Sequence, residues 1–268
     1  MVRDKSESAL GLIAAGGLTP VLVAREARAR GWQVFAFAFD ASRDLSGEVD
    51  VVIPVGLGDA MVIMGHLIKE GIGSVVLAGK LPKVRFFQDA LADPLGLGVA
   101  SDWSDDSFFQ RAAALLEAQG IQLLDQRQFL ESWLAKAGTL TRRSPTPAQE
   151  AEVLRGFNLA RQLARFGVGQ TIVVKQGVAL AIEAVEGTDE AIRRGCRLGG
   201  AGAVVVKVAG DEHDFRFDVP SIGRQTIETL AEGKGAVLAV EAGRTLILEP
   251  ETTVALADRY GLALVARG

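Results

Sequence analysis

Phe215–Gly223 reads Phe-Arg-Phe-Asp-Val-Pro-Ser-Ile-Gly, one guanidinium and one carboxylate two residues apart in an apolar run that stops at a proline. Extended, such a run puts Phe215 and Phe217 on one side and Arg216 and Asp218 on the other, because strand side chains alternate. Asp211, Glu212, His213 and Asp214 crowd acidic groups just upstream, so the loop suits a cation. The competing reading is a surface hairpin whose ionic side chains are solvated, the ordinary fate of a charge run.

A second loop, Glu186-Gly-Thr-Asp189, opens a short helix that carries Arg193 and Arg194. Backbone N–H groups at that helix start, joined by the two guanidinium groups, can hold phosphate oxygens, and Asp189 can help to hold a cation. Equally, Thr188 or Asp189 can serve as no more than a helix cap. Nearer the N-terminus, Gly16-Gly17-Leu-Thr-Pro20 and Gly79-Lys80 place glycine turns after apolar strands. Such turns can present N–H groups to an anion, or simply join a strand to a helix. Asp40 ends the second strand, about where an acidic ribose ligand sits in dinucleotide-binding folds, but the three-glycine fingerprint is incomplete. Glu183 and Glu241 end later strands and read as solvated edges.

Chemistries that need other residues fall away. There is no Gly-x-Ser-x-Gly elbow, complete Walker loop or His-Glu-x-x-His. The two histidines, His66 and His213, are too few for a two-metal phosphoesterase built on imidazole. His66 falls in a mainly apolar helix and reads as structural. Cys196 is the single cysteine, which excludes a disulfide framework and a Cys-rich zinc site and fits a reducing compartment. Oxygen-ligand chemistry remains: a carboxylate-bound Mg²⁺, Arg and Lys for phosphates, and glycine turns for backbone donors. That set fits phosphoryl transfer.

These groups need elements to position them. Leu10–Ala14, Trp32–Phe39, Val49–Pro54 and Ser74–Leu77 read as strands, alternating with helices at Pro20–Arg30 and Asp59–Glu70. This is the rhythm of βαβ units on a parallel sheet, whose ligands bind beyond the carboxyl ends of the strands. Gly16, Gly17, Asp40, Gly79 and Lys80 all fall there. Helices are expected at Phe108–Gln119 and Gln128–Lys136, with a strand at Gln122–Leu124 between them. The polar, proline-bearing segment 139–148 reads as a linker between an N-terminal nucleotide-binding domain, 1–138, and a second domain, 149–268. The second half starts with a helix over Pro147–Phe166, capped by Thr146. It continues with two similar hairpins, Thr171–Lys175 with Val178–Ala184 and Ala236–Ala242 with Thr245–Leu248. The expected fold is α/β: a Rossmann-like parallel-sheet domain followed by an α+β domain.

Composition agrees with that architecture. A chain of 268 residues can bury two cores. Lys and Arg number 29 against 33 Asp and Glu, and a net charge of -4 offers no electrostatic footprint for nucleic acid. Hydrophobic residues make up 49% and aromatics 6%, which suits parallel strands buried on both faces and equally a groove for an apolar ligand. No apolar span reaches the ~18 to 20 residues of a membrane helix. Asp4 and Glu7 do not suit a secretory signal, so a cytoplasmic protein is expected.

Together, Leu10-Gly-Leu-Ile-Ala-Ala-Gly-Gly-Leu-Thr-Pro20, Ala78-Gly79-Lys80, Arg143-Ser-Pro-Thr-Pro147, Glu186-Gly-Thr-Asp189 and Arg216-Phe-Asp-Val-Pro-Ser-Ile-Gly223 resemble the UDP-2,3-diacylglucosamine diphosphatases of the lipid A pathway, the type unrelated to metallophosphoesterases. The resemblance spans nearly the whole chain, and its two C-terminal motifs are the most specific. It implies Mg²⁺-dependent hydrolysis of UDP-2,3-diacylglucosamine to UMP and 2,3-diacylglucosamine 1-phosphate (lipid X). Water would attack the sugar-proximal phosphorus, with substrate held between the two domains. The family's essential aspartate matches Asp218. On this footing Asp218 and Arg216 are expected to be catalytic, and Asp218 and Asp189 to hold the metal. Gly16, Gly17, Gly79, Lys80, Thr188, Asp189, Arg193 and Arg194 are expected to bind substrate. A diacylated substrate implies transient contact with the cytoplasmic face of the inner membrane. Two other readings stay open: a nucleotide-dependent oxidoreductase built on the N-terminal half, and a non-catalytic UDP-sugar-binding protein.

Overall fold

Short apolar runs separated by amphipathic ones build the first half of the chain. In a computed structural model, which describes residues 9–39, 45–56, 58–80 and 105–268, they form β1 (Ala9–Ala14), α1 (Thr19–Ala29), β2 (Gln33–Ala38), β3 (Val51–Pro54), α2 (Ala60–Lys69), β4 (Ser74–Ala78), α3 (Asp105–Ala118) and β5 (Gln122–Leu124). The five strands make one parallel sheet in the order β3-β2-β1-β4-β5. β1 lies at its centre, and Ala9, Leu10, Leu12 and Ala14 are all buried, as a strand covered on both faces requires. Strand order reverses between β1 and β4, the topological switch point at which such sheets open a crevice. Asp40, singled out above as a ribose ligand, lies outside the described residues.

Gln128–Lys136 does not form the helix expected there. Two short 3₁₀ turns stand in its place, Gln126–Phe129 and Glu131–Trp133. Asp125 Oδ1 accepts the Arg127 N–H at 2.8 Å and the same carboxylate takes the Arg127 guanidinium, which fixes a tight turn. Ala135 N–H then donates to the Thr245 carbonyl at 2.9 Å, so the chain leaves as an extended segment.

The second half contains β6 (Gly138–Thr139), α4 (Pro147–Arg165), β7 (Thr171–Lys175), β8 (Val178–Ile182), α5 (Thr188–Gly199), β9 (Val204–Lys207), β10 (Ser221–Ile222), α6 (Arg224–Glu232), β11 (Val237–Glu241), β12 (Leu246–Ile247), α7 (Pro250–Arg259) and β13 (Ala263–Arg267). Its six-stranded mixed sheet runs β6-β13-β11-β9-β7-β8, with β13, β11 and β9 parallel and the outer strands antiparallel. Alternation sorts the strand residues. Ile172, Val174, Val204 and Val206 pack on Val153, Phe157 and Ala160 of α4, while Val173, Val205, Leu238 and Val240 pack on Ile192 and Cys196 of α5 and on α6. Gly195 lets α5 come close: a Cβ there would lie 2.5 Å from the Val173 Cβ.

Thr146 caps α4 through a capping box, its hydroxyl accepting from Gln149 N–H and Gln149 Oε1 accepting from Thr146 N–H. In the segment read as a linker, Gly138–Thr139 pairs with β13, Thr141 Oγ1 accepts the Leu264 N–H at 2.9 Å, and Arg142 N–H donates to Asp258 at 2.7 Å. The first expected hairpin is present as β7 and β8, turned by Gln176 and Gly177 in the left-handed region. The second is not a hairpin. β11 sits between β9 and β13, and its neighbour in sequence, β12, pairs with β10 in a separate two-stranded sheet. Gly243 at φ 69° turns the chain off the six-stranded sheet, and Leu246 N–H donates to the Pro220 carbonyl.

By contacts the chain divides into two compact units. One comprises residues 1–130 with 214–218, the other 131–213 with 219–268. No helix among the described residues is long and apolar enough to cross a membrane.

Candidate functional site

In the N-terminal unit the two glycine turns meet at the switch point. Ala15 N–H donates to the Ala78 carbonyl at 2.8 Å, and Gly16 and Lys80 exchange hydrogen bonds at 3.3 and 2.8 Å. Gly79 is obligatory here. Its φ is 97°, and a Cβ would stand 2.7 Å from the Gly16 carbonyl oxygen. The Gly16 and Lys80 N–H groups are thus spent on each other. Gly17 is exposed at φ 96°, α1 begins without a side-chain cap, and the Lys80 side chain is exposed.

Phe215–Asp218, read above as extended, form a turn instead. Asp214 is the cause. Its Oδ1 accepts the Arg216 N–H at 3.0 Å and its carbonyl accepts the Phe217 N–H at 3.2 Å, which closes the chain before any ladder can form. Burial still alternates: Phe215 and Phe217 are each 7% exposed, whereas Asp218 is exposed. Phe217 belongs to the N-terminal core with Phe35, Phe37, Leu67 and Val75, and the Arg127 guanidinium lies 3.5 Å over the Phe215 ring. Arg216 grips Asp214 through Nε and Nη2 and reaches Glu117 at 3.3 Å. The Asp214 hydrogen bond raises its pKa above the ordinary guanidinium value.

In the acidic run upstream, Asp211 and Asp214 are each paired with an arginine. Asp211 pairs with Arg165, whose guanidinium holds its carboxyl below the usual carboxylate range. Among the described residues no group of three or more His, Cys, Asp or Glu converges as a metal cage. Mg²⁺ commonly keeps several waters and takes one or two carboxylates plus substrate phosphate oxygens. The exposed carboxylate of Asp218 fits that mode of binding.

In the C-terminal unit two buried ionic clusters sit at the carboxyl edge of the parallel strands, one on each face. Glu241, the last residue of β11, is 3% exposed, which overturns its reading as a solvated edge. It pairs with Arg161 at 3.0 Å and Arg244 at 3.3 Å and accepts the Ala209 N–H at 2.9 Å. On the opposite face Lys207, the last residue of β9, is 6% exposed and donates from Nζ to Thr188 Oγ1 at 2.7 Å. Thr188 in turn donates to Glu183 Oε1 at 2.9 Å. Thr188 therefore does not cap α5: the N-cap is Gly187, with no side-chain hydrogen bond.

Asp189 is half-buried in the first turn of α5. Arg193 pairs with Glu190, and Arg194 with Glu186 and the Ile182 carbonyl. These two arginines line an open groove of about 670 Å³ with Arg197, Val168 and Ala184. Thr188 is brought to Lys207, whereas Arg193 and Arg194 point to the groove. Sequence reasoning passes over Lys207 and reads Glu241 as solvated, although a charged residue closing an otherwise apolar buried strand is a readable signal.

The description LpxI N-terminal domain matches residues 9–133, and LpxI C-terminal domain matches residues 136–265. A Caulobacter vibrioides protein named UDP-2,3-diacylglucosamine pyrophosphatase LpxI is 31% identical over 271 residues, covering 94% of this chain and 95% of that protein.

Proposed function

Because the chain belongs to the LpxI family, we propose that it is a diphosphate hydrolase that splits UDP-2,3-diacylglucosamine into UMP and 2,3-diacylglucosamine 1-phosphate, with Mg²⁺ as cofactor. The observation that carries this reading is the likeness along both domains to a UDP-2,3-diacylglucosamine pyrophosphatase. The turn that presents Asp218 supports it. Its backbone is clamped by Asp214 and by the buried Phe217, so the carboxylate starts from a fixed position, as catalysis by preorganisation requires.

In this reading Asp218 holds Mg²⁺ or orients the attacking water, and Asp189 is the second carboxylate. When bound, Mg²⁺ neutralises charge building on the phosphoryl oxygens. Arg216 already has Asp214 and Glu117 as partners, which suits a residue that holds the turn. Gly17, the start of α1 and Lys80 would take the UDP end, while Arg193 and Arg194 would reach phosphate only by leaving Glu190 and Glu186. The lipid substrate puts the reaction at the inner-membrane surface, reached peripherally.

Asp218→Asn, folded by circular dichroism, should release UMP at least about a hundredfold more slowly at saturating Mg²⁺. A near wild-type rate would remove Asp218 from the chemistry. Mass spectrometry of lipid carried through purification by that variant should show a diacylated UDP-sugar, and hydrolysis in ¹⁸O-water should label the sugar 1-phosphate. Label in UMP would move the attack to the other phosphorus.

A further inference from the structure

The Lys207 ammonium is short of partners for a buried cation. An ammonium has three donors. Among the described residues one of them is used, on the neutral Thr188 hydroxyl, and no carboxylate stands within ion-pair distance. The Thr188 hydroxyl links it onward to the Glu183 carboxylate. Burying a charge on such terms is costly unless something else completes its shell.

A second, independent group lies on the same face of the sheet. Thr171 is 2% exposed, and its Oγ1 has no hydrogen-bond partner. Thr171 lies directly opposite Lys207 in the β7–β9 register, and cross-strand partners project from the same face of a sheet. That face is the one covered by α5, whose first turn is uncapped by any side chain. Two unused ammonium donors, an orphan hydroxyl and a helix N-terminus thus share one face and edge of the sheet, and all of them favour a negative ligand.

We propose that Lys207, Thr171 and Thr188 form an anion pocket at the carboxyl edge of the C-terminal sheet that receives a phosphoryl oxygen of the substrate. This deepens the diphosphatase reading and rests on it for the identity of the anion. Lys207 and Thr171 donate to the oxygen. Thr188, held by Glu183, fixes the ammonium, and Glu183 keeps the ligand-free pocket neutral enough to fold.

The test uses the full chain in EDTA with inorganic pyrophosphate as probe, read by thermal unfolding, so that no turnover is needed. Pyrophosphate should raise the unfolding midpoint of the wild type and of Asp218→Asn. Lys207→Met keeps the volume and removes the buried charge. Its ligand-free midpoint should equal or exceed that of the wild type, its response to pyrophosphate should vanish, and its kcat/KM should fall about a hundredfold. A structural lysine would give the reverse, a lower midpoint with the response intact. If Lys207→Met loses both midpoint and response, Thr171→Val decides: a weakened response at an undiminished midpoint supports the pocket, and an unchanged response overturns it. An unresponsive wild type overturns it as well. Full UMP release by Asp218→Asn would sink the catalytic assignment while leaving the pyrophosphate result standing.

Discussion

Asp214 does two jobs in the turn that carries Asp218. Its carboxylate ends the extended run by accepting the Arg216 N–H, and it neutralises the guanidinium that follows. The two jobs can be separated. Asn at this position keeps a side-chain acceptor for the turn and loses the charge, whereas Ala loses both. Asp214→Ala should cost about 1 kcal/mol of unfolding free energy and about tenfold in UMP release, because the Asp218 carboxylate is then offered from a looser backbone. Asp214→Asn should keep the stability in a urea titration. Equal destabilisation by the two variants would show that the ion pair, not the turn, holds the segment.

Among the elements, α5 owes its position to Gly195, where a Cβ would press on Val173. Gly195→Ala should lower stability by about 1–3 kcal/mol through overpacking and lift the helix from β7, stretching the 2.7 Å contact between Lys207 and Thr188. A lower thermal midpoint with a weaker response to pyrophosphate would register both effects, while an unchanged midpoint would mean that the sheet yields instead. Elements of this kind are readable to different depths. The βα rhythm of residues 9–78 is legible because its strands are short apolar runs set between longer helical ones, so length and period together separate them. Phe215–Phe217 misleads because a turn can bury every second residue just as a strand does. The β11–β12 pair misleads for another reason: Gly243-Arg244 looks like a hairpin turn, and no local signal says that β9 and β13 already flank β11. Of the proposed site, Asp218 and Thr188 come from motif and loop chemistry. Lys207 is legible as a charge closing an apolar strand, but its pairing with Thr171 appears only through a strand register that joins residues 36 positions apart, 207 less 171.

For the molecule as a whole, the division at residues 130, 213 and 218 matters more than a single boundary would. Phe217 fills the N-terminal core although it is followed and preceded by C-terminal sequence. Phe217→Ala should therefore remove about 3–5 kcal/mol from the N-terminal unit. Hydrogen exchange should show β1 and β2 losing protection while β11 and β13 keep theirs. Equal loss in both sheets would mean that the two units unfold as one. The inserted turn also bears on the order in which the chain is made. Translation delivers β1 to β5 by residue 124, yet the five-residue plug that completes their core follows only after β6 to β9 of the other unit. Until then Phe35, Phe37, Leu67 and Val75 lack the ring that packs among them. Seating Phe217 in that core and presenting the Asp218 carboxylate beside it are therefore two sides of one step.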